Sequence, residues 1–309
     1  MAANAFRSVR MDWRVKSRAF RLFDVAPGGR QAYYLTQRYV TKTLPRPMTP
    51  TAETASWFLV HADAIRRQTG GELGAARLFE FGAGWDLYSN LTLWCLGVEH
   101  QLVVDLNRWL KPWAIDAVAA HLRADPPAGA VRVPERAVDP GALEASLLQH
   151  YGIDYRAPAD ARALSVSAGG VDVVATTSVL EHIPPASLTE ILTESHRVCH
   201  AGSLASHVID YSDHYAHSDA GITPYNFLTF TPEQWRRHNP DIHFQNRLRH
   251  ADYRALFAET GWEVLEEEVV VPPDAEPTLA GLTLAAPYDA LPVAEVAPTT
   301  GRFLLARAG

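Results

Sequence analysis

The sequence predicts a doubly wound α/β fold, an open parallel sheet with helices on both faces. Three observations carry the prediction. From Arg77 onward, short apolar runs of strand length alternate with longer runs of helical periodicity. The first of those runs ends directly in a glycine turn, Glu80-Phe81-Gly82-Ala83-Gly84-Trp85-Asp86. The second ends on an acid, Asp105. Strands that alternate with helices pair in parallel, because each crossover returns the chain to the same end of the sheet. In such sheets a ligand lies beyond the carboxyl ends of the strands, near the point where the strand order reverses.

Taken in order, the first 75 residues hold no convincing strand. Segments near 6–23, 31–42 and 51–68 read as helices, separated by Pro27-Gly28-Gly29 and by Pro45, Pro47 and Pro50. They are expected to form a helical cap (1–75) ahead of an α/β domain (76–309). Arg77–Phe81 is a strand, Leu87–Leu96 a helix and Gln101–Asp105 a buried-type strand. Trp109–Leu122 and Pro140–His150 read as helices, the second with Asp139 as a candidate cap. Val171–Thr176 is the next strand. Leu188, Ile191, Leu192, Ser195 and Val198 share one face of a helix that starts after Pro184-Pro185 and stops at Gly202. Ser203–Ile209 is a strand, and Asp252–Thr260 a helix stopped by Gly261. Trp262–Val271 and Arg302–Ala306 close the chain as strands. The polar and aromatic stretch at about 210–250 is too long for an idle connection and is expected to cover a site.

Composition narrows the function. The chain is 47% hydrophobic and 20% charged, which suits a globular protein with a sizeable core. A net charge of −7 gives no general attraction to nucleic acid or an anionic membrane. Cys95 and Cys199 stand apart, so neither a disulfide framework nor a cysteine zinc site is expected. No apolar run approaches the ~18 residues of a membrane span, and no apolar leader is evident. A cytoplasmic location is therefore expected. Arg7, Arg10, Arg14, Lys16, Arg18 and Arg21 form a basic run that Asp12 and Asp24 interrupt, which reads as a solvated helix face or a short basic patch rather than a transit peptide.

The chemistry gathers at the strand ends. Gly82 and Gly84 let the backbone turn sharply and approach a ligand, beside the unpaired N–H groups of the following helix. Alone, such a turn also closes ordinary βα units. Asp105 follows ~20 residues later, where a carboxylate can accept from both ribose hydroxyls of a nucleotide. Its alternative use is as a helix cap. Both features fit a nicotinamide dinucleotide and S-adenosylmethionine (SAM) alike. A dinucleotide fingerprint wants a third glycine at position 87, where this chain has Leu87. Glu80, just before the glycines, is ill placed beside a pyrophosphate but suits an ammonium and a sulfonium. SAM is the better match.

Two further segments carry a resemblance. Pro158-Ala159-Asp160-Ala161 follows Ile153-Asp154-Tyr155, and then comes Val171-Asp172-Val173-Val174-Ala175-Thr176-Thr177-Ser178-Val179-Leu180-Glu181-His182-Ile183. Glycine turn, acid-ended strand, Asp-Ala loop and "DVV…SVLEHI", in that order, resemble the class I SAM-dependent methyltransferases over about residues 77–210. The resemblance implies a sheet ordered 3-2-1-4-5-7-6 with the seventh strand antiparallel. It implies that Glu80, Gly82 and Gly84 line the methionine half of SAM and that Asp105 holds the ribose with Leu106 beside the adenine. Asp160 would accept from the adenine amino group, with the Ala161 backbone at the ring edge. Thr177, Ser178 and Val179 would pass under the cofactor, and His182 would stand at the pocket mouth. Trp85 departs from the small residue many members have, so the methionine end could be shaped differently. "GAGWD", "VVDLNRWLK", "SVLEHI", "DYSDHYAH", "ITPYNFLTF" and "FQNRLRHADYRALF" further resemble a bacterial subgroup of methyltransferase-like proteins associated with polysaccharide and natural-product pathways.

Ile209-Asp210-Tyr211-Ser212-Asp213-His214-Tyr215-Ala216-His217 ends the fifth of the family's strands and is expected at the mouth of the sheet. Asp213 or His214 could take a proton from an acceptor, and Tyr211 and Tyr215 could face a sulfonium. The same residues could instead organise the covering segment. His196 and His200 have helical spacing without an acid to complete a metal motif, and His207, His214, His217, His238 and His243 form no compelling carboxylate–histidine pattern, so no metal is expected. Arg236, Arg237, Arg247, Arg249 and Arg254 read either as a basic rim for an anionic acceptor or as solvated helix residues.

The leading expectation is a SAM-dependent methyltransferase acting on oxygen or nitrogen of a small molecule or glycan precursor. A second is a SAM-using cyclase with SAM as sole substrate, which closes the aminobutyl chain to azetidine-2-carboxylate and releases methylthioadenosine. A third is a degenerate fold that only binds SAM or a partner. Nucleic-acid methylation is disfavoured by the charge and by the absence of an "NPPY"-type tetrapeptide after the fourth strand.

Overall fold

The structure, a computed structural model, describes residues 11–46, 48 and 51–308; Arg7 and Arg10 of the basic run lie outside them. Seven strands form one sheet: β1 (Arg77–Phe81), β2 (His100–Val104), β3 (Ile153–Arg156), β4 (Val171–Thr177), β5 (Cys199–Asp210), β6 (Trp262–Val270) and β7 (Thr300–Arg307). Their order is β3-β2-β1-β4-β5-β7-β6, as the resemblance implies. β1 to β5 pair in parallel, and β7 runs antiparallel between β5 and β6. Phe79 of β1 stands opposite Leu102 on one side and Val174 on the other. Four of the five β1 residues are buried, as a central strand covered on both faces requires.

Helices α1 (Trp13–Val25) and α2 (Gly29–Leu35) precede α3 (Thr51–Thr69), α4 (Tyr88–Cys95), α5 (Pro112–Ala124), α6 (Leu143–Tyr151) and α7 (Pro185–Val198). After β5 come α8 (Pro232–Arg236) and α9 (His250–Glu259), and between β6 and β7 the short α10 (Ala275–Ala280) and α11 (Val293–Val296). The face expected of α7 is buried as a unit: Leu188, Ile191, Leu192, Ser195 and Val198. It packs with Tyr253 and Phe257 of α9 against Val174, Ala205 and Ile209 of the sheet. The helices α4, α5 and α6 close over β2 and β3.

Several boundaries differ from expectation for local reasons. α7 ends at Val198, and β5 begins at Cys199, so Gly202 sits at φ +84° within a strand rather than stopping a helix. His200 is therefore on a strand, paired with Asp172 at 3.0 Å, and its helical spacing from His196 is not realised. α5 starts at Pro112, whose missing N–H is spare in a first turn. Asp139 turns its carboxylate to Gly141 N (2.8 Å), and α6 starts later, at Leu143. The short edge strand β3 alternates its two apolar residues, Ile153 and Tyr155, with Asp154 and Arg156, which pair with each other at 2.6 Å. Edge strand β6 is exposed beyond Trp262 and carries Glu263, Glu266, Glu267 and Glu268.

The N-terminal helices divide in what they cover. α1 and α2 join the 210–250 segment and the 272–299 connection in one aromatic layer, with Trp13, Tyr215, Phe227, Trp235 and Leu279 at its centre. Asp12 caps α1 by accepting from Arg14 N and Val15 N. Trp13 N donates to Asp219 (2.9 Å), and Ser17 Oγ meets His238 Nδ1 at 3.0 Å. α3 lies instead against β4 and β5, on the far side of the sheet from α7 and α9. No helix among the described residues is long and apolar enough to cross a membrane.

His61 of α3 bridges to the sheet through Ser206 Oγ and Thr177 Oγ1, each at 2.8 Å. Burial lowers its pKa from 6.5 to about 4. Between those values the unfolded chain binds a proton that the folded chain refuses, so stability falls as pH drops from 6.5 toward 4 and is steady above 6.5. His61 should contribute a loss of about 2 kcal/mol between pH 7 and 5. Urea unfolding at both pH values measures it, and His61→Gln should shrink the difference by about that amount. An unchanged difference in the variant would assign the acid sensitivity elsewhere.

Candidate functional site

A cavity of about 720 Å³ opens beyond the carboxyl ends of β1, β2 and β4, where the strand order reverses. Its base is the glycine turn. Gly82 and Gly84 sit at φ +82° and +64°, and Gly82 N still donates to Val104 O (2.9 Å), so β1 leads into the turn while bonded to β2. A Cβ on Gly82 would lie 2.7 Å from Val179 Cγ1, whereas one on Gly84 would meet nothing within 4 Å. Leu87, where a dinucleotide site wants its third glycine, is buried at φ +56°.

Asp105 lies at the cavity wall. Its Oδ1 accepts from Asn107 N (2.8 Å). Burial pushes its pKa up, and the backbone N–H groups of Asn107, Gly84 and Ala83 pull it back. Next to it Leu106 is 60% exposed, a large apolar side chain left on an open rim. Ala159 N donates to Asp105 O (2.8 Å), which draws the Asp-Ala loop to the end of β2 and brings Asp160 and Ala161 to the cavity wall. Arg162 holds the Asp160 carboxylate through Nη2 (2.7 Å) and keeps it below the usual range. Ser178 lines the cavity at φ +52°, anchored by its N–H to Val208 O (2.8 Å). Trp85 also lines it, stacked on Tyr34 and 4.7 Å from Trp109.

The cavity wall also holds His182 and His214, with ring centroids 4.8 Å apart. His182 Nδ1 bonds to Phe244 O at 2.8 Å. His214 Nε2 lies 3.3 Å from Asp210 Oδ2. Burial opposes a charge on His214, and the Asp210 carboxylate outweighs it and raises the pKa. Burial also opposes ionisation of Asp210, but His214, His217 and the Ser212 hydroxyl hold it at about 2.

Five residues expected here are placed elsewhere. Glu80 points to the other face of β1, where Oε2 accepts from Asn90 Nδ2 (3.0 Å) and burial raises its pKa to about 8. Thr177 faces α3 through its bond to His61. Tyr211 is in the core, stacked on Tyr253 with its hydroxyl 3.0 Å from His250 Nδ1. Asp213 is fully buried and organises the covering segment, accepting from Asn226 Nδ2 and Tyr215 N at 2.8 Å each. Tyr215 packs on Trp13 and donates to His238 O (2.7 Å). The arginines form no rim on the cavity. Arg247 and Arg249 are buried on backbone carbonyls, and Arg254 pairs with Glu267.

Other residues enter that were given no role at the site from the sequence. Arg30 and Tyr33 reach the cavity from α2, and Asp241–Phe244 from the covering segment. Asp210 and Glu181 stand behind the two histidines. The spacing Asp210–His214–His217 was the readable signal for the first of these, and the Glu181-His182 pair for the second.

No family model matches the chain, and no curated protein resembles it in sequence. Solved structures with a similar course include a SAM-dependent methyltransferase of Methanosarcina mazei, 13% identical over 75% of this chain and 92% of that one, with a TM-score of 0.44. A SAM-dependent methyltransferase of Mesorhizobium loti is 16% identical over 80% and 98%, with a TM-score of 0.42. The [4+2]-cyclase SpnF is 14% identical over 82% of each chain, with a TM-score of 0.45.

The two glycines give a graded prediction. Alanine at either must adopt a left-handed backbone, at a cost of about 1–2 kcal/mol. Gly82→Ala adds the clash with Val179 and should lower stability more than Gly84→Ala. Urea unfolding of both variants, repeated in a Val179→Ala background, should show the gap closing there; equal losses at both sites would remove the close approach from the account.

Proposed function

We propose that the protein binds SAM in this cavity and transfers its methyl group to an oxygen or nitrogen of a small-molecule acceptor. The observation that carries the reading is the Asp105 carboxylate, fixed by backbone N–H groups beside the Gly82–Gly84 turn and facing a cavity with room for a nucleoside. In this reading Asp105 accepts from the ribose diol, Leu106 and Ala161 flank the adenine, and Asp160 takes the adenine amino group. The turn leaves space for the methionine chain, and the rings of Trp85 and Tyr33 suit a sulfonium. The acceptor's lone pair forms a bond to the methyl carbon as the carbon–sulfur bond breaks, and S-adenosylhomocysteine leaves. Because that carbon is already activated, holding the two reactants in line supplies much of the rate. His214, held by Asp210, acts on the acceptor and not on SAM.

The cyclase reading calls for an aromatic, water-poor wall around a folded SAM. Trp85 lines the cavity and Tyr211 and Tyr215 do not, but Tyr33, Trp109 and Phe244 line it in their place, so the wall suits either reaction and the products decide between them.

Calorimetric titration with SAM and S-adenosylhomocysteine tests the site. Asp105→Ala should weaken both by about 100-fold while leaving the melting temperature nearly unchanged; undiminished affinity would move the cofactor elsewhere. His214→Ala should leave S-adenosylhomocysteine affinity within about twofold and slow turnover by about 100-fold or more, the scale of a group that acts at the reacting atoms. Mass spectrometry after incubation with SAM separates the reactions. Methylthioadenosine would establish the cyclase, and S-adenosylhomocysteine with a methylated acceptor the transferase.

A further inference from the structure

Glu181 is 2% exposed, and neither of its side-chain oxygens makes a hydrogen bond of good geometry; the backbone N–H groups of Glu181 and Asp210 act on it less than burial does. Such a carboxylate is costly unless it is paired, hydrogen-bonded or bound to a metal. No lysine or arginine forms an ion pair with it among the described residues. Its neighbours are two histidines. One carboxylate oxygen of Glu181 and one ring nitrogen each of His182 and His214 lie within 4.8 Å of one another. The three come from the ends of adjacent strands, Glu181 and His182 from the turn after β4 and His214 from the segment after β5, so the sheet itself fixes their spacing.

The surroundings suit coordination. His182 Nδ1 is committed to Phe244 O at 2.8 Å, which settles the tautomer and leaves Nε2 with its lone pair. His214 Nε2 is buried without a hydrogen bond of proper geometry, although Asp210 Oδ2 is 3.3 Å away. Asp210, itself bonded to Ser212, adds a second negative charge behind the group. His217 and His243 pack against His214 and complete the wall.

We propose that Glu181, His182 and His214 bind one first-row divalent cation whose open positions face the cavity. Two imidazoles and one carboxylate fit Zn²⁺, Mn²⁺, Fe²⁺ or Co²⁺, whereas Ca²⁺ and Mg²⁺ prefer oxygen ligands throughout. Three protein ligands are the pattern of a site that also takes a substrate atom. The consequence for catalysis rests on the methyltransferase reading; the binding itself does not. An acceptor hydroxyl on the cation would lose its proton to solvent more readily. Its oxygen lone pair then forms the bond to the methyl carbon as the carbon–sulfur bond breaks. The acceptor class this favours is a hydroxyl compound with a second oxygen able to chelate.

The test uses full-length protein freed of metal by a chelator. It is titrated calorimetrically with ZnCl₂ and MnCl₂ and followed by visible absorption with CoCl₂. One cation should bind per chain, and the Co²⁺ spectrum should show nitrogen and oxygen ligation. Glu181→Gln keeps the side chain's shape and should weaken binding at least tenfold without changing the affinity for S-adenosylhomocysteine. If that variant does not fold, His182→Asn, on the open side of the group, should weaken binding likewise. No stoichiometric binding of any of the three ions by the wild type, or undiminished binding in both variants, would overturn the site. Binding of S-adenosylhomocysteine without any cation sinks this proposal alone; binding of a cation without SAM or S-adenosylhomocysteine sinks the methyltransferase reading alone.

Discussion

The Gly82 backbone rests against the Val179 side chain, and that close approach decides where the cavity can be. β1 and β4 are neighbours whose connections leave toward different helices, so a crevice opens between their ends. Without a Cβ at Gly82 the turn after β1 tucks under the segment after β4. The Asp105 carboxylate, the turn and the Ser178–His182 stretch then share one concave surface. A side chain at that point would lie 2.7 Å from Val179 Cγ1, so the turn or the Val179 side chain would have to move.

The cover over the cavity is held by buried polar groups as much as by aromatic packing. Arg249 is fully buried, and its guanidinium donates to Tyr211 O, Val296 O and Pro298 O. Arg247 does the same for Phe227 O and Phe230 O. A guanidinium keeps its charge under all ordinary conditions, so each must be surrounded by acceptors in one arrangement. The two arginines thus tie the covering segment, the connection before β7 and the end of β5 into one geometry. Asp213 plays the same part within the segment. Residues that read as chemistry in the sequence serve here as architecture.

The central strands were legible from continuous apolar runs, because burial on both faces leaves no other choice of residue, and β6 from its β-branched and aromatic residues despite its exposure. β3 was hidden by its length and its charged alternation, and the helices of 272–299 by their brevity. Gly82, Gly84 and Asp105, which line the cavity, stood out in the sequence because they end strands. The histidine side was only half readable. In Tyr211-Ser212-Asp213-His214-Tyr215 the sequence does not reveal which side chains point inward, since the chain there follows neither a strand nor a helix period. His214 faces the cavity while both flanking residues are buried in the cover. Glu80 shows the opposite case: the strand period places it on the far face, and the motif alone suggested otherwise.

One edge of the sheet remains open. β6 presents its outer row of backbone groups to solvent over nine residues, with Leu265, Val269 and Val270 exposed beside them. Such an edge is a template on which another chain can add a strand and begin an aggregate. Glu266, Glu267 and Glu268 lie in the middle of it. Arg67, Arg254 and Arg302 hold these three carboxylates, so the β6 edge is a charged surface on which another strand could dock only by desolvating ion pairs.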